Sequence, residues 1–217
     1  MKPSKKIACI IAFLVVATSV RSAFAQTKAD IFNPATQITW LGIDYSQMKF
    51  MGSEAGYKAT GEVINSEFVD KYIPAWNNLF LIEAKKFDVA KATHRASVTT
   101  DISVTEQVNS TLKKDFFDEN SSDFKTLNEQ AISGLVKNYD FKGKTGIGML
   151  FFMEGMSKAE KLAGVWVTFV DMGSKTVLLT SYQTGASGGF GFRNYWAKPI
   201  YEILKDMNSN WKEWKSK

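Results

Sequence analysis

Cysteine and histidine each occur once in these 217 residues, and that scarcity removes much of the chemistry an enzyme would use. Cys9 lies inside an apolar segment at the amino terminus. If that segment is cut away, no disulfide, thiol nucleophile or thiolate metal site remains. His94 is the only imidazole, so a relay of nucleophile, base and orienting acid has a single possible base, and a zinc site has too few nitrogen and sulfur ligands. No G-x-G-x-x-G is present, and no Lys-Ser or Lys-Thr follows the glycine-rich stretch at Gly185, as a phosphate-binding loop would require. Prolines number four. Nothing in the composition points to disorder, a collagen repeat or a coiled coil.

Basic charge is also scarcer than it looks. Lys2, Lys5 and Lys6 precede an apolar run from Ile7 to Val20, and Ala23-Phe24-Ala25 supplies a small-x-small cleavage site, the three parts of a secretory signal. About fourteen apolar residues fall short of the ~20 that span a bilayer. The mature chain is expected to begin at Gln26 and to carry no membrane span. Cys9 stands within the apolar run rather than after it, which argues against a lipoprotein. The formal net charge of +5 counts 27 bases and 22 acids; without the leader's four bases, 23 remain against 22, a net of +1. A nucleic-acid partner would want clustered Lys and Arg on the mature domain, and no such cluster is present.

The remaining 26–217 read as one α+β domain. Ile38, Trp40, Leu41 and Ile43 begin a strand over Gln37 to Met51 that is apolar on both sides. Asn65 and Ser66 open a helical stretch, Ser66 to Lys86, with Pro74 as a kink or a new start. The β-branched run Ser97 to Val104 predicts a strand. Asn109 to Asp123 reads as a solvated loop; its Asp115, Asp118, Glu119 and Asp123 lack the register of an EF-hand. Its sequons at Asn109 and Asn120 would matter only in a eukaryotic secretory pathway. Leu127, Ala131, Leu135 and Val136 give a helix over Phe124 to Tyr139. Three apolar runs follow, 148–153, 164–170 and 176–182, with Asp171-Met172-Gly173-Ser174 as hairpin turn. Ile200, Leu204, Met207, Trp211 and Trp214 then mark an amphipathic helix with Pro199 in its first turn. The order is β-α-β-α-β-β-β-α: a mixed sheet of about five strands with helices packed on it.

One segment combines backbone freedom with aromatic surface: Gly185 to Trp196. Phe190, Phe192, Arg193, Asn194, Tyr195 and Trp196 form either part of the core or a candidate interaction surface. Other constellations are weaker. Glu154 and Asp171 border strands and are the carboxylates a glycoside hydrolase would need. Met149, Met153 and Met156, with Met48 and Met51, offer thioethers for Cu(I), although methionine on a strand is ordinarily core filler. No catalytic set, cofactor or metal is assigned.

Two resemblances add to this reading. Trp40-Leu41-Gly42-Ile43-Asp44-Tyr45-Ser46, Ile73-Pro74-Ala75-Trp76-Asn77-Asn78-Leu79 and Gly189-Phe190-Gly191-Phe192-Arg193-Asn194-Tyr195-Trp196 resemble a family of uncharacterised exported bacterial proteins across nearly the whole mature chain. The hairpin Val165 to Ser181 and the strand-helix order resemble, more loosely, the small envelope domains of TolB, the curli secretion protein CsgG and penicillin-binding-protein activators. These resemblances imply a periplasmic or secreted, non-catalytic domain that binds an envelope protein or other envelope component. A lipid- or sugar-binding protein with an aromatic-lined pocket, and an unrecognised hydrolase, are the alternatives.

Overall fold

Seven strands arise where β-branched and aromatic residues concentrate: β1 (Ile38–Asp44), β2 (Lys49–Met51), β3 (Thr99–Thr100), β4 (Phe117–Asp118), β5 (Ile147–Ser157), β6 (Leu162–Asp171) and β7 (Thr176–Ala186). The structure is a computed structural model, whose described residues are 25–217. The leader, up to Phe24, lies outside the described residues. β5, β6 and β7 form the expected antiparallel meander. β1 and β2 both run parallel along the other side of β5, Ile38 opposite Ile147 and Phe50 opposite Met156. β3 pairs with β1 and β4 with β2, again parallel. The seven segments therefore occupy five strand positions in one mixed sheet.

Both faces of that sheet are covered, which is why its central strand is a nearly continuous apolar run. Met149, Phe151 and Met153 of β5 join the larger core, into which the helix Phe192–Ser209 inserts Ile200, Ile203, Leu204 and Met207. Leu150 and Phe152 point the other way, where Ile132 and Val136 of the helix Glu129–Lys137 meet them. The architecture is α+β with helices on a mixed sheet.

The outer edge of β1 and β2 is completed by an unusual set of groups. Asp101 N donates to Trp40 O at 2.9 Å, and beyond that point the neighbouring chain leaves the sheet as the helix Ser103–Asn109. Side chains then take over. Thr105 Oγ1 donates to Leu41 O (2.6 Å); Asn77 accepts from Ile43 N (2.7 Å) and donates to Ile43 O (3.0 Å); Asn109 donates to Ile43 O (2.8 Å) and accepts from Tyr45 N (2.9 Å). Lys114 Nζ reaches Ser46 O and Met48 O across the break between β1 and β2. Main-chain pairing resumes at Phe50 N to Phe116 O, 2.6 Å. Asn77, Thr105 and Asn109 are all buried. Side chains thus supply the partners that a neighbouring strand would otherwise give the backbone at Leu41, Ile43, Tyr45, Ser46 and Met48.

Gly42 makes this possible. It sits at a bulge with φ of +96°, and a Cβ there would lie 2.3 Å from Thr105 Oγ1 and 2.8 Å from Asn77 Oδ1. Only glycine lets the two side chains come down onto the strand. The next residue but one, Asp44, is 1% exposed. It accepts Ser46 N at 2.6 Å and the Tyr139 hydroxyl, and desolvation nevertheless raises its carboxyl above the usual range.

Several sequence-based expectations are corrected. Residues 97–104 are not a strand: β3 keeps two residues, and Asp101 Oδ1 captures the N–H and hydroxyl of Ser103 to start a helix instead. The acidic loop contains β4, and its Asp118 and Asp123 flank the Lys49 ammonium at 3.0 and 3.2 Å. The helix expected from Phe124 starts at Glu129, capped by Asn128. The stretch after Asn65 is helical but passes through a π-helical turn, Phe68–Tyr72, just before Pro74, whose missing N–H breaks the regular ladder. Thr27 to Thr36 is held as well. Arg95, which makes no ion pair among the described residues, donates to the carbonyls of Ile31, Asn33, Thr36 and Thr93.

Two measurements check this account. Asn77→Ala leaves the Ile43 N–H buried without an acceptor, and a fall of about 2–3 kcal/mol in unfolding free energy is expected from urea titration with an unchanged slope. Asp44 binds its proton more tightly folded than unfolded. The stability tied to that proton is complete below about pH 4 and is lost as pH rises through the raised value. Asp44→Asn should flatten that limb of the stability-pH curve; a limb that persists unchanged removes Asp44 as its source.

Candidate functional site

The glycine-rich segment after β7 owes its course to two local constraints. At Gly185 a Cβ would stand 2.3 Å from Pro199 O, so glycine lets the strand pass directly against the helix. Gly188, Gly189 and Gly191 then hold φ of 154°, 105° and 81°, the region side-chain-bearing residues avoid. Ser187 N donates to Lys161 O and ties the loop to the hairpin turn at 158–161. The helix starts at Phe192, a full two turns before Pro199, and not at the proline as its sequence position suggests. Pro199 has no N–H for Tyr195 O, four residues back. Gly188 N donates to that carbonyl at 3.1 Å instead. A helix-interior proline thereby becomes an anchor for the loop.

Around this anchor the six candidate residues separate into two groups. Trp196 is 1% exposed and belongs to the core. Phe192 packs onto that core, its ring 4.5 Å from Tyr72 and 5.7 Å from Phe50. Tyr195 is half-buried, edge-on to Trp196 at 5.2 Å. The other group faces solvent. Arg193 pairs with Glu83 at 2.7 Å and donates to Asn194 Oδ1, while Asn194 Nδ2 donates to Phe190 O. Phe190 is 96% exposed. Sequence alone could not divide these residues, because all are aromatic or polar and lie within seven positions.

Two further residues at this end were not legible in the sequence. Leu81 and Ile82, on the helical turn Leu79–Ile82, are 53% and 70% exposed and directly precede Glu83. With Phe190 they are the large hydrophobic side chains left most open to water among the described residues. The Glu83–Arg193 pair joins the segment that carries Leu81 and Ile82 to the one that carries Phe190. Beside them lies a cleft of about 520 Å³, walled by Tyr72, Phe192, Tyr195 and Trp196, with the ion pair Lys158–Glu62 at its rim.

The catalytic alternatives do not converge. Glu154 is buried and fully engaged, accepting from Thr126 N, Leu127 N and Trp166 Nε1. Asp171 caps the β6–β7 turn, accepting Gly173 N at 2.9 Å, and stands opposite Ile147. Seven residues of β5, at ~3.3 Å each, put about 23 Å between the two carboxylates, far beyond the ~5–10 Å of a glycosidase pair. His94 Nε2 is bonded to Asn208 O at 2.8 Å. Gly185-Ala186-Ser187-Gly188-Gly189 does match the spacing of a G-x-S-x-G elbow. Ser187 Oγ is nevertheless buried without a hydrogen-bond partner. His94 is held at Asn208, and the serine's loop at Tyr195, thirteen residues or about 20 Å apart along the same helix. Met48, Met149, Met153 and Met156 are packed into the larger core. Among the described residues no group of His, Cys, Asp or Glu is arranged to hold a metal ion.

No family model, curated protein or solved structure matches this chain. The site accordingly rests on its geometry.

The division between core and surface has a direct test. Trp196→Ala is expected to cost about 3–5 kcal/mol in unfolding free energy. Phe190→Ser should stay within about 0.5 kcal/mol of the parent, because no folded-state packing is lost.

Proposed function

We propose that this chain is an exported, non-catalytic binding domain of the bacterial cell envelope, which engages an envelope protein or other envelope component through the Phe190 end. The leader motif supports export, and the scarcity of histidine and cysteine supports a binding role. One observation carries the choice of surface: Phe190, Leu81 and Ile82 stand open to water around the Glu83–Arg193 pair. Large apolar side chains left open to water beside a charged pair are a usual mark of an interaction site. An exposed aromatic beside an arginine is also the composition of an interface centre. The glycine loop, held by Gly188 N and Ser187 N, presents Phe190 from a fixed base.

A second reading follows from the adjoining cleft. Tyr72, Phe192 and Tyr195 form an apolar wall of a size suited to a small ligand, which favours a lipid or sugar binder.

Affinity capture from envelope extracts, using protein whose intact mass shows the mature chain starting at Gln26, tests the first reading. Phe190→Ser combined with Ile82→Ser should retain the fold and lose the captured partner. An unchanged set of captured proteins would count against this surface, and a mass that retains the leader would count against export.

A further inference from the structure

On the opposite face of the sheet, the smaller core opens into a second cleft of about 350 Å³, between the helix Ser103–Asn109 and the end of the helix Glu129–Lys137. Its floor is Asp44 and Tyr139. Asp44 is almost completely buried, yet neither oxygen meets a cation: one accepts Ser46 N, the other the Tyr139 hydroxyl. The nearest ammonium, Lys114, is near enough to act on the charge but spends its hydrogen bonds on Ser46 O and Met48 O. The floor is thus a buried carboxyl–phenol pair with no ammonium or guanidinium hydrogen-bonded to it among the described residues.

The direction of the Tyr139 bond fixes what the cleft can recognise. Burial and the neighbouring carboxylate hold the phenol well above its usual range, so it stays protonated. Its single hydrogen is committed to Asp44, and no group among the described residues donates to its oxygen. What Tyr139 has left for a ligand is acceptor capacity. At the mouth stands Asp140, one oxygen accepting Lys142 N and the other free of protein hydrogen bonds, and no Lys or Arg lines the cleft. Val104, Val108 and Leu135 supply apolar walls between these polar points. At ~30 Å³ per water, the space corresponds to about a dozen waters.

We propose that this cleft binds a small aliphatic amine, with one ammonium donating to the Tyr139 oxygen over Asp44, its methylene spine against Val104, Val108 and Leu135, and a second ammonium towards Asp140. The ammonium groups then meet the Tyr139 oxygen and the Asp140 carboxyl, and the carboxamide oxygens of Gln107 and Asn138 on the same lining offer further acceptors. The site is separate from the Phe190 surface and does not depend on that reading.

Calorimetric titration of the mature protein with putrescine and spermidine tests the proposal, with 1-butanol and butyrate as chain-matched probes that carry no positive charge. Both amines are expected to bind, and the two controls are not. Tyr139→Phe should weaken the amines by about tenfold, the loss of one hydrogen bond to a charged group, ~1.4 kcal/mol. Asp140→Asn, a surface change that leaves the core intact, should weaken spermidine about threefold. Amide shifts on adding putrescine should fall at Ser46, Gln107 and Asn138. Absence of amine binding overturns the proposal. So does binding that Asp140→Asn leaves undiminished, which decides the matter if Tyr139→Phe fails to fold. Shifts confined to other parts of the molecule would overturn it as well.

Discussion

The structure depends on satisfying one strand edge. β1 and β2 lie in the interior, and their amides and carbonyls on the side away from β5 would each cost 1–3 kcal/mol if left bare. A regular partner is present for only two residues at each end, in β3 and β4. Between them Thr105, Asn77, Asn109 and Lys114 act as a strand made of side chains. This solution fixes the rest. It demands glycine at position 42, brings the helix Ser103–Asn109 down on its edge, and draws the Pro74 helix close enough for Asn77 to reach Ile43. It also turns Asp44 into the interior beside Tyr139. The second cleft is the space left over that joint.

Much of the frame was legible because it obeys local rules. The meander announces itself through β-branched runs broken by Asp171 and Gly173, and the three strands appear where those runs stand. The whole of 37–51 reads as strand, which is what β1 and β2 become apart from a short break. The α+β class follows from the order of these elements. What escaped was non-local. Ser97 to Val104 has the composition of a strand, but its continuation is decided by Asp101 capping Ser103 and by Asn109 finding Tyr45. Neither contact leaves a periodic trace. Pro199 suggested a helix start because proline is commonest there; its missing N–H is tolerated inside the helix only because a glycine from another segment takes the free carbonyl.

The site was half legible for a related reason. Glycine and aromatic enrichment at 185–196 singles out the segment, and the fold leaves Phe190 within it open to water. Composition does not say which ring faces water. Trp196 and Phe190 are six residues apart and chemically alike, and they differ only in whether the sheet lies beneath them. Leu81 and Ile82 fall within the stretch expected to be helical, where nothing local marks them as exposed. Asp44, next to a run of apolar residues, carried no sign that a phenol ninety-five positions later would meet it.

The parallel pairing of Ile38 with Ile147, 109 positions apart, bears on how the chain assembles. β5, β6 and β7 close over turns of four residues and can pair as soon as they are made. β1 has no strand to add to until they do, and the side chains that finish its outer edge come from 77 to 114, also later in the chain. Long-range parallel contacts of this kind slow folding, since a large loop must close before any pairing repays it. The earliest strand in the chain is therefore left waiting until more than a hundred further residues have been made. Until β5 arrives, Ile38, Trp40, Leu41 and Ile43 are an apolar, unpaired strand of the kind that chaperones bind and aggregates recruit.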